Sequence, residues 1–371
     1  MNSTLIPVSE PLLGAATERY VRECITSGWI SSEGPFLQAF ERRWADYCGA
    51  AHGIAVCNGT AALEIALQAL DLRPGDEVIM PAFTIISCAL AVIEAGGVPV
   101  LVDSDPVTWC LDVAQLESVL TPRTRAILPV HMYGHPAEMD TVLAFAEKHG
   151  LSVIEDAAEA HGATYKGRTV GSLGRMSCFS FYANKIITTG EGGMVLCQTE
   201  QDADRLRTLR NLCFRPERRF WHTELGHNFR MTNIQAAVGL AQVEQIDEHI
   251  RIKKGMGAYY GAHLAGLPIQ LPAELPHVSN VFWMYGLVLD DDVPFDAREL
   301  AARLRTLGVD TRPFFLGMHE QPALLDRGLF HGARYPVAER IARRGLYLPS
   351  GLTLTESQME RVCAAMRQVL S

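Results

Sequence analysis

Ile54-Ala55-Val56-Cys57-Asn58-Gly59-Thr60-Ala61, running on into a helical pattern that ends at Leu70, decides how this chain folds. A short apolar run, an Asn-Gly-Thr turn and an apolar periodicity near 3.6 predict strand, tight turn and helix in that order. The alternation recurs downstream. Glu77-Val78-Ile79-Met80 precedes a helical segment over 84–95, and Val98-Pro99-Val100-Leu101-Val102 precedes one over 112–120. Ala126-Ile127-Leu128-Pro129-Val130 leads to a helix over 137–149, and Ser152-Val153-Ile154 runs into Glu155-Asp156. Short apolar strands separated by helices indicate a largely parallel sheet covered on both faces, an α/β fold. Ligands of such sheets bind outside the carboxyl ends of the strands. The residues just after each run are therefore the ones to inspect.

Toward the N-terminus, residues 11–28 and 35–48 read as amphipathic helices joined by Gly28-Trp29-Ile30-Ser31-Ser32-Glu33-Gly34-Pro35. Trp29 in this connector either packs on a neighbouring helix or, beside two serines, lines a sugar pocket. Toward the C-terminus come a strand over 193–197, a helix over 200–211 and a long helical pattern from Asn233 to about Leu264, weakened by Gly239, Gly255 and Gly257. We place a domain boundary inside that pattern, near residue 247. Residues 1–247 then form the large domain with the N-terminal helices, and 248–371 a smaller α+β domain. The latter reads as strand 281–289, helix 296–307 with Asp296 as N-cap, strand 309–313, helix 336–344 and a last helix from Glu356. Thr355 and Gln358 have the spacing of a capping box there.

At 371 residues the expectation is two domains. A formal net charge of −9 with no Lys/Arg cluster argues against a nucleic-acid binder, though backbone amides still suffice to hold a small anion. The nine cysteines are scattered and form no C-x-x-C pair, which reads as reduced thiols in a cytoplasmic protein. The stretch Met1 to Glu10 has no secretory-leader pattern, and no apolar run reaches the ~20 residues of a membrane span.

Three strand ends carry chemistry. Asn58-Gly59-Thr60-Ala61 offers helix-start amides, a glycine and a hydroxyl, the makings of a phosphate cradle; such a turn also occurs for the turn alone. Asp156 heads Asp156-Ala157-Ala158-Glu159-Ala160-His161-Gly162 at the end of a buried strand, where a carboxylate needs a cationic or hydrogen-bonding partner. That partner is either structural or a protonated pyridine nitrogen. Lys185 lies in Ser180-Phe181-Tyr182-Ala183-Asn184-Lys185-Ile186-Ile187-Thr188-Thr189-Gly190-Glu191-Gly192-Gly193, between an aromatic approach and a glycine-rich turn. A lysine held in apolar surroundings loses its proton and forms Schiff bases; an ordinary surface lysine does not. Cradle, acid and lysine at the ends of parallel strands, in that order, match pyridoxal 5'-phosphate.

With Gly28-Trp29-Ile30-Ser31-Ser32, Pro74-Gly75-Asp76-Glu77-Val78-Ile79 and Gly226-His227-Asn228-Phe229-Arg230-Met231-Thr232-Asn233, these segments span nearly the whole chain and resemble the DegT/DnrJ/EryC1/StrS family of nucleotide-sugar aminotransferases. The resemblance implies a fold type I aminotransferase fold, a homodimer with shared active sites, L-glutamate as amino donor and a nucleotide-linked keto sugar as acceptor. It makes Lys185 the Schiff-base lysine and Asp156 the partner of the pyridine nitrogen. Thr60 and Ala61 by their amides, in the turn opened by Gly59, and Ser180 by its hydroxyl become phosphate ligands. Asn228 becomes a phosphate ligand reaching in from the neighbouring subunit. Two positions depart from the commoner pattern: Glu159 stands where many members have glutamine beside the cofactor's 3'-oxygen, and Ile85 stands where many stack an aromatic ring. Aliphatic contact from Ile85, or Phe83, then takes the place of stacking. The glutamate resembles the branch acting at C4 of GDP-4-keto-6-deoxymannose. A UDP- or dTDP-linked 3- or 4-keto sugar is the alternative, and a non-catalytic cofactor-binding or structural protein the alternative of another class. The dehydratase branch carries histidine where this chain has Lys185.

His319, in Arg312-Pro313-Phe314-Phe315-Leu316-Gly317-Met318-His319, falls in a segment that the resemblance places near the substrate, so a sugar or phosphate contact is expected of it. His131 and His135 have i, i+4 spacing but flank Pro136 outside any H-E-x-x-H motif, and no metal site is expected. The acidic run 290–292 reads as a solvated turn.

Overall fold

The structure, a computed structural model, describes residues 5–214 and 217–371; residues 1–4 of the N-terminal stretch read above lie outside it. Helices α1 (Ala15–Ser27) and α2 (Pro35–Cys48) come first. Pro35 sits in the first turn of α2, where its missing N–H costs nothing, and Gly49 ends the helix at φ 76. Then β1 (His52–Val56), α3 (Gly59–Gln68), β2 (Glu77–Pro81), α4 (Ser87–Glu94), β3 (Val98–Val102), α5 (Leu116–Val119), β4 (Thr124–Ile127), α6 (Met139–His149) and β5 (Ser152–Asp156) alternate as expected. Two-residue strands β6 (Thr164–Tyr165) and β7 (Arg168–Thr169) follow, then β8 (Met176–Ser180), β9 (Gly193–Cys197) and α7 (Glu200–Arg210). The rest comprises α8 (Asn233–Val243), α9 (Ile246–Leu264), β10 (Ile269–Gln270), β11 (Val278–Ser279), β12 (Tyr285–Leu289), α10 (Ala297–Thr306), β13 (Arg312–Pro313), α11 (Pro322–Leu325), α12 (Pro336–Arg344), β14 (Gly345–Leu348) and α13 (Glu356–Leu370).

Seven strands form the main sheet in the order β1-β9-β8-β5-β4-β2-β3. Only β9 runs against its neighbours, and the other strand pairs are parallel. The carboxyl ends of β1, β8, β5, β4 and β2 therefore share one edge, which brings residues from four distant parts of the chain together. A four-stranded antiparallel sheet, β10-β12-β14-β13, lies in the C-terminal part, and β11, β6 and β7 form a third, small sheet.

Four boundaries differ from expectation. The pattern from Asn233 to Leu264 is two helices, broken at Glu244 and Gln245. The two bury different faces: Ala236 and Ala237 of α8 join the core under the large sheet, whereas Met256, Tyr260 and Leu264 of α9 join a second core with Leu287, Leu300 and Met366. The segment 112–120 is a 3₁₀ turn, Val113–Gln115, plus one α turn. Strand 281–289 shortens to β12 because Phe282 turns to φ 47 and leaves the ladder. Strand 309–313 reduces to β13, with Val309 bridging Ile6 instead. Asp296 caps α10 and Thr355–Gln358 closes its box on α13, both as expected. All nine cysteines are free thiols. No helix among the described residues is long and apolar enough to cross a membrane.

Candidate active site

The shared edge of the sheet opens on a cavity of about 550 Å³. Its walls are Asn58 to Ala61 after β1, Ile85 after β2, Asp156 at the end of β5 with Glu159 beyond it, and Ser180 at the end of β8 with Lys185 beyond it. Trp283, Phe315 and Tyr347 close it from the C-terminal part of the chain.

The cradle is built by the start of α3. Asn58 is its N-cap, and the side-chain oxygen accepts from the amide of Ala61 at 2.8 Å. Ala61 N is thus already engaged by Asn58. Thr60 Oγ1 lies 2.9 Å from Ser87 Oγ. Gly59 presses on Ser180, since a Cβ at residue 59 would stand 2.7 Å from the Cβ of Ser180. Gly193, at the start of β9, lies against the backbone of Asn58 so closely that a Cβ there would overlap the Asn58 carbonyl. These two glycines let the β8–β9 pair and the head of α3 close into one wall.

Asp156 is buried. Its Oδ1 accepts from the amide of Ala158 at 3.0 Å and its Oδ2 from the thiol of Cys88 at 3.1 Å. Burial holds the Cys88 pKa well above the usual thiol range, so it stays a donor. Glu159, also buried, accepts from Tyr133 N at 2.8 Å. Lys185 is half-buried, with its Nζ 3.7 Å from the centroid of the Trp283 ring. The Trp283 Nε1 donates to the carbonyl of Asn184 at 2.8 Å. Burial lowers the Lys185 pKa, opposed by the charges of Glu159 and Asp156. Burial likewise raises that of Glu159, opposed by the charge of Lys185. Desolvation outweighs mutual attraction in both, which favours a neutral amine able to act as nucleophile or base.

Of the residues singled out in the sequence, Gly59, Thr60, Ala61, Ile85, Asp156, Glu159, Ser180 and Lys185 line this one cavity. Four others do not. Phe83 is fully buried behind the cavity, packed on Tyr133, Phe314 and Phe315, so Ile85 alone of the pair faces it. The imidazole of His319 is buried and engaged by Glu339 at 3.2 Å, against the Tyr335 ring, and does not line this cavity. Trp29 is half exposed and lines a separate hollow of about 840 Å³ with Arg207, Arg210, Arg219 and Arg230. Asn228 is exposed on the segment that bridges back to Asn211, also outside the cavity. His131 is buried against Glu155 at 3.1 Å, and no group of three or more potential metal ligands occurs among the described residues.

Sequence reasoning missed Trp283, Cys88 and Tyr347. Trp283 lies far along the chain in a run read as strand, and only its positive-φ neighbour Phe282 turns it to the cavity. Cys88 stands one helical turn after Thr84, whose Oγ1 is 3.4 Å from its sulfur. It was legible only as one of nine scattered thiols.

The residues present fit pyridoxal 5'-phosphate: an amine with a depressed pKa, a buried carboxylate, and a helix N-terminus closed by glycine against a serine hydroxyl. The chain is 46% identical to the GDP-perosamine synthase of Caulobacter vibrioides over 369 residues, covering 98% of each. It is 39% identical to that of Escherichia coli O157:H7 over 366 residues, covering 99% of each. The crystal structure of S. venezuelae DesV in complex with a ketimine intermediate superposes with a TM-score of 0.92 at 36% identity, over 100% of this chain and 99% of that one. The model of the DegT/DnrJ/EryC1/StrS aminotransferase family matches residues 11–367, and the chain belongs to that family as a pyridoxal-phosphate-dependent sugar aminotransferase of the type I fold.

Proposed function

We propose that the chain transfers the amino group of L-glutamate to C4 of GDP-4-keto-6-deoxymannose, giving 2-oxoglutarate and GDP-perosamine. The observation that carries the reading is Lys185, an amine with a depressed pKa held over an indole face within reach of two buried carboxyl groups. Similarity to the two perosamine synthases supports the choice of sugar and nucleotide. When bound, pyridoxal 5'-phosphate supplies a carbonyl that carries the amino group and a ring that delocalises the electron pair left on carbon.

In this reading Lys185 holds the cofactor carbonyl, Asp156 its ring nitrogen, and the head of α3 with Ser180 its phosphate. Lys185, once free, takes the proton from the α-carbon of glutamate and later returns one to C4 of the sugar. Asp156 would hold positive charge on the ring nitrogen of a bound cofactor. Glu159, whose pKa burial raises, would be the group able to share a proton with the cofactor's phenolic oxygen. Ile85 gives an aliphatic wall in place of a stacked ring. The working unit is a homodimer in which Asn228 serves the neighbouring copy. Exposed Trp29, Phe220, Trp221 and Leu225 supply apolar surface for that pairing. Free scattered thiols support a cytoplasmic protein.

Purified protein given L-glutamate and, in parallel, GDP-, UDP- and dTDP-linked 4-keto sugars tests the reading by mass spectrometry of the products. Amination of the GDP sugar in preference to the others is expected. Preference for a UDP or dTDP sugar would overturn the substrate assignment while leaving the chemistry. No glutamate consumption with any sugar would make the protein a non-catalytic binder.

A further inference from the structure

Lys253 is the one buried cation that the reaction does not use among the described lysines. Its side chain rises from α9, is 2% exposed, and ends on two backbone carbonyls, those of Trp283 at 2.7 Å and of Ser350. No carboxylate among the described residues pairs with it. A lysine so placed is expensive, because burial without a counter-charge disfavours its ammonium, and its pKa is pushed down to about 7. What it holds is the segment that turns to the cavity. Phe282 adopts φ 47, and its amide donates to Asn280 Oδ1 at 2.8 Å. Gly257, one turn of α9 after Lys253, lets the helix approach so closely that a Cβ there would stand 2.6 Å from the Phe282 ring. Trp283 is thus fixed at both ends, its carbonyl by Lys253 and its indole N–H by Asn184, next to Lys185.

We propose that Trp283 is a positioning residue for Lys185, offering its indole face as the docking place of the free amine, and that Lys253 is the strut that keeps that face in position. The inference deepens the reading of Lys185 as the reacting lysine and rests on it. An aromatic face attracts the ammonium form, opposing the desolvation that drives the proton off. The indole therefore keeps the amine from losing its charge entirely while holding it where both carboxyl groups are near. The titratable groups around that amine are Asp156, Glu159 and His161 on the chain leaving β5, Glu64 on α3, Tyr182 and Glu191 on its own loop, and Tyr347 on β14. Of these, Glu159 and Asp156 favour the ammonium alongside the indole.

The test uses the full chain freed of cofactor. Competitive labelling with acetic anhydride across a pH series, read on the Lys185 peptide by mass spectrometry, gives the titration of that amine directly. Trp283→Leu is expected to lower the Lys185 pKa by about one unit, the worth of a desolvated cation–π contact. Trp283→Phe, which keeps a ring but loses the bond to Asn184, is expected to lower it by less. Lys253→Met is expected to lower it as Trp283→Leu does, with Lys253→Arg recovering part of the shift. An unchanged Lys185 titration in folded Trp283→Leu overturns the docking role. An unchanged titration in folded Lys253→Met overturns the strut. If Lys253→Met does not fold, Lys253→Arg decides in its place: a shift smaller than that of Trp283→Leu is expected, and an unchanged titration then counts against the strut. Borohydride reduction of the loaded wild type is read in the same peptide map. Cofactor fixed at another lysine would defeat the reading of Lys185 without touching its measured titration.

Discussion

At Lys185 desolvation and charge pull in opposite directions. Burial disfavours the ammonium, while Asp156 and Glu159 favour it, and the net displacement is downward. Neither carboxyl group is spare. Asp156 has two donors of its own, Ala158 N and the Cys88 thiol, which fix its plane before any cofactor arrives. Asp156→Asn keeps the shape and removes the charge, so turnover should fall by about a hundredfold or more while the melting temperature stays near wild type. Stopped-flow absorbance of the glutamate half-reaction measures it. Glu159 differs in that burial raises its pKa. Ionising it costs the folded state, so its stability contribution is greatest below pH 4.5, the ordinary value, and declines as pH rises toward the raised one. Glu159→Gln should therefore lose least, or gain, relative to wild type at alkaline pH and fare worst near pH 4. Paired thermal melts across that range check the sign.

The elements that position these groups were legible to different degrees. The strand–turn–helix alternation from Ile54 onward carried its own period, and it put Asn58, Asp156 and Lys185 at strand ends before any contact was known, whereas Ile85 came only from the family resemblance. Capping boxes at Thr355 and the N-cap at Asp296 were readable for the same reason: their chemistry is local. The break between α8 and α9 was not, because the apolar pattern runs through Glu244 and only the change of core partner bends the chain. Strands of two residues, such as β6 and β13, leave no period at all. The surroundings of His319 were not legible because its partner, Glu339, lies on α12. Glu339 accepts two bonds from Arg334, at 2.7 and 2.8 Å, and further ones from Tyr335 N and His319. The Arg334 bonds foremost lower its pKa to about 2. Its stability contribution is therefore full above pH 4.5 and lost as pH falls toward 2. Glu339→Gln should cost about 1 kcal/mol at pH 7, the exposed side of Arg334 limiting the effect, with the gap from wild type narrowing below pH 4.5. Urea unfolding at several pH values measures it. Gly193→Ala, where β9 meets the Asn58 backbone, should destabilise by about 1–3 kcal/mol and loosen cofactor retention.

For the whole molecule, the edge of the large sheet and the C-terminal part share one cavity, and the division we place near residue 247 falls at the start of α9. Asn228 lies outside that cavity, on exposed chain, which is where a residue serving a second copy belongs. If it acts across a dimer, an equal mixture of Asn228→Ala and Lys185→Ala subunits, dissociated and reassociated, should recover about a quarter of wild-type turnover, since each mixed dimer keeps one intact site. Recovery no better than the sum of the separate variants would place Asn228 in its own subunit's work or in none.

Whether Lys185 is the residue that bonds the cofactor is settled most directly by reducing the yellow protein with borohydride and mapping its peptides by mass spectrometry. The account predicts the phosphopyridoxyl mass on the peptide containing Lys185 and on no other lysine peptide, Lys253 included. Its appearance elsewhere, or its persistence in Lys185→Ala, would contradict it.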